Sequence, residues 1–232
     1  RGIRTISVNP VQTGYSAVAD DWVGITPGTD GLLIMSLIHV LMKTGHIDLD
    51  YLMRYTNAPW LVIRNPGQSD DGLFLRDKDN KPQVIDSKTG RPVAFDKGGI
   101  RPQLKGEVKN KSGLIAVPSF MLMVEEWLDE QYSPEATEAN TGIPAARVYG
   151  LAKSIAEAAF SRQVVIDEPW VDWKGERHEQ MIGRPVSMHA MRGISAHSNG
   201  FQTCRALHVL QILIGSVETP GGFRFKPPYP KP

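Results

Sequence analysis

The chain has 232 residues, 41% of them hydrophobic, enough for one good core with a small appendage. Its 26 basic and 25 acidic side chains nearly cancel to a net charge of +1, with no basic run of the nucleic-acid-binding kind, so an anionic ligand has to be met locally by helix ends and single arginines. The single cysteine, Cys204, excludes an internal disulfide, a Cys-rich zinc site or an iron–sulfur cluster within this chain, and no apolar run reaches membrane-spanning length.

In chain order, Ile3, Thr5, Ile6, Ser7 and Val8 form a β-branched run that predicts a buried strand. Asn9-Pro10 stops it, because proline has no N–H for a ladder and restricts the residue before it. Pro27-Gly28 predicts a turn, after which Thr29 or Asp30 is placed to cap an apolar helix from Leu32 to Lys43 that Gly45 ends. That helix is apolar on nearly every side, so it is expected to be buried on more than one face. Asp48 caps a short helix through Tyr55, Ala58-Pro59 ends it, and Trp60 to Ile63 is extended. Residues 65–110 read as a hairpin-rich insertion, in which the turn sequences DKDNK and DSKTG separate short apolar pairs.

Helical spacing resumes after Pro118 with Phe120, Leu122, Met123, Trp127 and Leu128. Ser133-Pro134 starts another helix that closes near Gly142, and Ile143-Pro144 opens a third with Val148, Leu151, Ala152, Ile155, Ala158 and Ala159 inward. Arg162 to Asp167 and Pro185 to Met191 are the next strand candidates, either side of a Trp-, Asp- and Gly-rich tract. A last helix runs from Asn199 or Gly200 to Leu213, and residues 223–232 form an extended, proline-rich tail. The order of elements predicts a single α/β domain over 1–232: a doubly wound, mostly parallel sheet with helices on both faces and a small β-hairpin insertion. The immediate start of the first strand at Arg1, with no signal peptide, suggests a fragment of a larger subunit.

Two strand-to-helix pivots carry the candidate chemistry. At each, free backbone donors stand at a strand end, where nucleotide-like anions bind in open α/β sheets. On local features alone the first reads rather as an ordinary β-turn-α unit with Asp30 as a mere N-cap, since no G-x-G-x-x-G and no Walker lysine follow the strand. The second, from Met191 to Gly200, offers donors on Arg192 and His197, glycines at 193 and 200, and Ser198 or Asn199 as a cap.

The spelling of both pivots resembles the catalytic subunits of the DMSO reductase family. The matching residues are Val8-Asn9-Pro10, Ala19-Asp20, Trp22 and Pro27-Gly28-Thr29-Asp30, then Gly193-Ile194-Ser195, His197 and Asn199-Gly200. Arg205-Ala206, an apolar helix and Pro220-Gly221-Gly222 complete the likeness, while Ala196 stands where that family often has Gln and Ser216 where Asn is usual. The resemblance implies the third domain of an enzyme whose molybdenum or tungsten is carried on two molybdopterin guanine dinucleotides, this domain cradling one of them. By residue match, Asn9 and Pro10 lie beside the ribose and guanine, and Asp30 accepts from the guanine edge. Gly28 and Thr29 let backbone approach the dinucleotide, and Arg192, Gly193 and His197 face the pyrophosphate–pterin end. The resemblance also implies an iron–sulfur cluster elsewhere in the parent and a place on the cytoplasmic or periplasmic face of a bacterial membrane complex. The partners it implies, besides the remaining domains, are a membrane anchor subunit plus an iron–sulfur electron-transfer subunit. Its spelling is similar to the branch acting on sulfur oxyanions and polysulfide.

Within this chain no catalytic residue and no metal ligand are expected, and the isolated domain is expected to be inactive without stably bound cofactor. The six histidines lack zinc spacing, Cys204 sits among apolar neighbours, and the tract of Trp170, Trp173, Glu176, Arg177 and His178 reads as surface loop packing. The competing reading is a non-catalytic α/β module that binds another nucleotide or serves only structure.

Overall fold

The computed structural model describes residues 2–110, 113–172, 175–190 and 192–224. The chain divides into two compact units, one formed by Arg1–Ile47 with Leu128–Pro232 and the other by Asp48–Trp127. The first unit opens with strands β1 (Ile6–Val8) and β2 (Asp21–Val23) and helix α1 (Asp30–Lys43). The second unit carries α2 (Leu49–Tyr55), β3 (Leu61–Arg64), β4 (Gln83–Ile85), β5 (Pro92–Ala94), β6 (Val108–Lys109), β7 (Ile115–Pro118) and α3 (Ser119–Trp127). The chain then returns to the first unit with α4 (Pro134–Thr141), α5 (Ala145–Ala156), β8 (Val164–Ile166), β9 (Trp170–Val171), β10 (Arg177–His178), β11 (Met181–Gly183), α6 (Arg192–Ser195) and α7 (Gly200–Leu213).

The core of the first unit is helix on helix. Helix α1 packs against α4, α5 and α7. That is why it needs no polar face: Leu33, Ile34, Leu37, Ile38, Val40 and Leu41 are all buried. Val148, Leu151, Ala152 and Ala156 of α5 and Leu210 and Leu213 of α7 complete the apolar layer. Each fully buried Leu or Ile contributes about 1.5–3 kcal/mol from desolvation. Both long helices stop in the same way. Gly45 and Gly215 take left-handed backbone (φ +72° and +68°), and paired bonds run from His46 N to Leu41 O and Gly45 N to Met42 O, and from Ser216 N to Gln211 O and Gly215 N to Ile212 O. These are Schellman motifs, which satisfy the last free carbonyls of a helix. Ser133 caps α4 through Ala136 N (3.2 Å), with Pro134 first in the helix and Gly142 at its end, as the sequence predicts.

The second unit holds a three-stranded antiparallel sheet in the order β3-β7-β6 and the hairpin β4–β5. Leu61, Ile85 and Ala116 form its small core, with Leu75 and Val108 packed against them. The turn sequences act through their aspartates. Asp77 Oδ1 accepts from Asp79 N and Lys81 N, each at 2.9 Å, and Asp86 accepts from Lys88 N (3.2 Å) and Thr89 Oγ1 (2.9 Å). Asp48 caps α2 by accepting from Tyr51 N at 2.9 Å.

The expected doubly wound sheet is not what the described residues build. Their strands form five small sheets of two or three strands, and only β1–β2 is parallel. The sequence puts β8 in a buried main sheet; it pairs antiparallel with β11 instead, and all three of its residues are exposed. Pro185 to Ala190 is not a strand, and Met191 lies outside the described residues. The strand comes earlier, at Met181–Gly183, and a γ-turn from Val186 N to Arg184 O (2.7 Å) bends the chain out of any ladder. The described part of the Trp- and Asp-rich tract carries the hairpin-like pair β9–β10 rather than a loop, and Trp173 lies outside the described residues.

Candidate functional site

Parallel pairing of β1 with β2, in register Ile6↔Asp21, Ser7↔Trp22 and Val8↔Val23, puts the C-terminal ends of both strands on one side. The two ends are tied there. Asn9 N donates to Val23 O (3.1 Å), Trp22 Nε1 donates to Asn9 O (2.9 Å), and Asn9 Oδ1 accepts from Val11 N (3.2 Å) in a local turn. Asn9 and Pro10 are exposed. At the opposite end Asp20 accepts from Thr5 N (2.6 Å) and Thr5 Oγ1 (2.9 Å), while Asp21 pairs with Arg147 (2.5 Å) and Arg4 (3.1 Å). The Thr5 backbone N–H holds the Asp20 carboxyl below its usual range, and the Arg147 hydrogen bond does the same for Asp21. The Ala-Asp spelling is therefore a clamp on the strand pair.

Beyond β2 the chain turns at Pro27-Gly28. Gly28 has φ +84°, and Thr29 N donates to Thr26 O at 3.2 Å, the signature of a type II turn, which needs glycine at its third position. Thr29 Oγ1 is spent on the same carbonyl (2.7 Å), so no side chain caps α1. Neither Thr29 nor Asp30 is the expected side-chain cap. Asp30 is the first residue of the helix, half-buried, and among the described residues no hydrogen bond or ion pair engages its carboxylate.

Helix α7 begins in the same state: Asn199 is its N-cap residue and makes no side-chain cap bond, and Ser198 does not cap it either. The short α6 leads into it, and Gly200 is required there, because a methyl group at this position would lie 2.2 Å from Ser195 O. The two pivots meet. A methyl group on Gly28 would come within 3.4 Å of His197 Nδ1. One on Gly31 would come within 3.0 Å of Thr203 Oγ1 and 3.9 Å of Asn199 Nδ2. Arg192, Gly193 and His197 are exposed, a methyl group on Gly193 would meet nothing, and no carboxylate pairs with Arg192 or His197 among the described residues.

Two 14-residue helices thus start side by side without side-chain caps. Their first free N–H groups and the positive ends of their dipoles add in one place, which suits an anion. The unpaired Asp30 beside them suits the opposite partner, a planar edge bearing N–H donors. Gly28, Thr29, Asp30 and His197 are therefore together, while Asn9 and Pro10 lie at the C-terminal end of the strand pair and Arg192 and Gly193 on α6. Gly31 and Thr203 are not singled out by the sequence; their only signal there is a glycine in the first turn of a helix that has no need of one. No ligand is needed to explain the hairpin β9–β10, where Asp172, Glu176 and His178 bring potential ligand atoms within 4.8 Å of one another. Asp172 already accepts from Glu176 N (3.0 Å) and faces His178 Nε2 (3.0 Å), whose ring stacks on Trp170 at 4.6 Å.

Strand ends, converging uncapped helix starts and a free carboxylate thus bring N–H donors for an anion and an acceptor for an N–H edge to one part of the first unit. No family model matches the chain. It is 44% identical over 241 residues to a sulfite dehydrogenase subunit of Allochromatium vinosum, covering 100% of this chain and 25% of that protein. It is 33% identical to the alpha subunit of the chlorate reductase of Ideonella dechloratans over 69% of this chain and 19% of that one. A tetrathionate reductase subunit of Archaeoglobus fulgidus is 25% identical over 95% of this chain and 18% of its own length. Among solved structures, the acetylene hydratase of Pelobacter acetylenicus shares the fold over 96% of this chain and 18% of that one, with a TM-score of 0.52 at 15% identity. The chain belongs to the DMSO reductase family of molybdopterin oxidoreductases. It spans a quarter or less of the length of these relatives.

Proposed function

We propose that this chain is a molybdopterin guanine dinucleotide-binding segment of a molybdenum- or tungsten-dependent oxidoreductase acting on a small substrate, a sulfur oxyanion or polysulfide. The observation that carries the reading is the convergence of the two uncapped helix starts beside the unpaired Asp30. The donor set fits the group: backbone N–H groups of α1 and α7 with Arg192 and His197 meet the pyrophosphate, and Asp30 accepts from the guanine N–H edge. Asn9 and Pro10 border the ribose and guanine, and Gly28, Thr29 and Gly193 leave room for close approach. When bound, the metal on its pterins supplies the oxygen-atom or electron-pair chemistry. This chain's residues bind and orient the dinucleotide, and none of them is assigned a bond-making role. The likeness to a sulfite dehydrogenase subunit and a tetrathionate reductase subunit supports the sulfur-compound substrate class. An iron–sulfur cluster elsewhere in the same polypeptide, an electron-transfer partner, a membrane anchor and a position at a bacterial membrane face are parts of the same proposal.

Replacing Asp30 in the full-length parent tests it. Loss of charge-assisted hydrogen bonds of about 1.5–3 kcal/mol lowers cofactor affinity roughly tenfold to a hundredfold in Asp30→Ala. Asp30→Asn does intermediate damage, because one acceptor becomes a donor. Cofactor occupancy is measured as molybdenum and pterin per polypeptide. Equal occupancy in the unmutated protein and both variants would refute the assignment and leave Asp30 as a favourable charge at a helix start.

A further inference from the structure

We propose that β8 is an interior strand of the whole parent protein, covered on both faces and along its free edge by another part of the same polypeptide. The proposal rests on the chain's being a portion of a longer polypeptide and is independent of the cofactor reading.

Three β-branched residues in succession, Val164, Val165 and Ile166, place apolar side chains on both sides of a strand. Strands apolar on both sides belong to sheets buried on both sides. Here they are 38%, 45% and 36% exposed. The register sorts the two faces. Val165 stands opposite Ile182, itself exposed, while Val164 and Ile166 stand opposite Gly183 and Met181 on the other face.

The exposure belongs to a held strand. Arg184 Nη1 donates to Ala159 O (3.1 Å) and Gln163 Oε1 (2.8 Å) at the root of β8, and its guanidinium lies 4.6 Å from the centre of the Phe160 ring. Gly183 of the partner strand is pressed against Pro220, where a methyl group would meet the carbonyl oxygen at 2.2 Å. The ribbon is anchored at this end and presents its apolar faces outward. Among the described residues β8 pairs only with β11, so its other edge keeps a row of free N–H and C=O groups. Exposed edges are ordinarily blunted by lysine, proline or a bulge, and β8 carries neither residue. A two-stranded ribbon is also only marginally stable alone.

The occupant follows from length and chemistry. The chain covers 25% of the relative it matches at 44% identity, so most of such a polypeptide lies outside this chain and is joined to it covalently. The partner is therefore an apolar strand from outside these residues, with its neighbours covering the two faces.

The test uses the full-length parent. Backbone amides of Val164 to Ile166 are followed by hydrogen exchange with mass spectrometry, and Val165→Cys is labelled with a maleimide beside Lys88→Cys as an exposed reference, both read on their own peptides. The expected result is exchange at least ~10³-fold slower than in an unstructured peptide, with Val165→Cys labelled at least tenfold more slowly than Lys88→Cys. Exchange at unstructured rates, or labelling as fast as the reference, overturns the proposal. Protection that disappears when the protein is diluted to a monomer assigns the cover to a second copy and overturns it too. If Val165→Cys fails to fold, exchange on the unmutated protein decides alone. Intact mass of the native polypeptide separates the premise from the proposal: a polypeptide no longer than this chain refutes the first, whatever β8 does.

Discussion

Gly31 and Thr203 are 172 positions apart and set how closely the two helix starts approach. The distance between the positions, 203 − 31, makes their coupling a purely tertiary quantity. A methyl group on Gly31 sits 3.0 Å from Thr203 Oγ1, and Thr203 is buried, so it has little freedom to yield. Gly31→Ala therefore overpacks the contact at about 1–3 kcal/mol. The same change favours the helix by up to about 1 kcal/mol, because alanine is the better helix former. The net expected for the single variant is a loss of roughly 0–3 kcal/mol, too broad to decide anything by itself. The double-mutant cycle decides. With Thr203→Ala already in place the hydroxyl is gone, the overpacking disappears and Gly31→Ala becomes stabilising. The coupling energy is then about 1–3 kcal/mol, measured by urea unfolding followed through tryptophan fluorescence. In the parent, Gly31→Ala alone should also lower cofactor occupancy by spreading the two N-termini, and the double variant should recover part of it. Equal effects of Gly31→Ala in both backgrounds, within the ~0.5 kcal/mol expected of independent sites, would show that the helix starts do not press on each other as described.

Other tests reach the clamp, the core and the isolated chain. Because Asp20 and Asp21 have folded-state pKa values below the ordinary aspartate value of 3.8, the stability they contribute is present above that pH and is lost as pH falls through their folded values. Thermal melts taken on descending from pH 5 should fall steeply below about pH 4, and Asp20→Asn or Asp21→Asn should flatten that fall; an unchanged slope in both variants contradicts the clamp. Ile38→Ala, at a position with no solvent exposure, should cost about 2–5 kcal/mol in urea unfolding, against at most about 0.5 kcal/mol for Val18→Ala at an exposed one. The isolated chain should show no turnover and hold little molybdenum or fluorescent pterin, since a site shared between domains presents only part of its donors; stoichiometric cofactor in the purified chain contradicts this.

Helices α1 and α7 were legible because their residues report burial directly: a run such as Leu32 to Met42 has no polar face to give to water. The C-terminal stop of α1 was legible at Gly45, whereas the N-terminal caps of both helices were not. Thr29 has the right chemistry for a cap, but the type II turn takes its hydroxyl first. Strand partners were the least legible. Val164 to Ile166 states only that something apolar should cover it, and a sequence of this length does not name the cover. Met181–Gly183 escaped notice because Gly183 reads as a breaker; its lack of a side chain is what lets Pro220 approach. Of the site, Asp30 and the two turn-to-helix stretches could be singled out from the sequence, but strand order does not bring them together, since 185–190 is not a strand; they meet through Gly28–His197 and Gly31–Thr203, which depend on the packing of α1 against α7.

That packing has a consequence for how the protein is made. Helix α1 begins at residue 30 and its partner α7 at residue 200, so about 170 residues must be synthesised between them, roughly 10–30 s at usual elongation rates. The whole Asp48–Trp127 unit emerges from the ribosome in that interval and can condense on its own local contacts. Throughout it Leu33, Leu37, Ile38 and Leu41 lack the cover of α7, so the first long helix reaches its final burial only when the end of this stretch has been made.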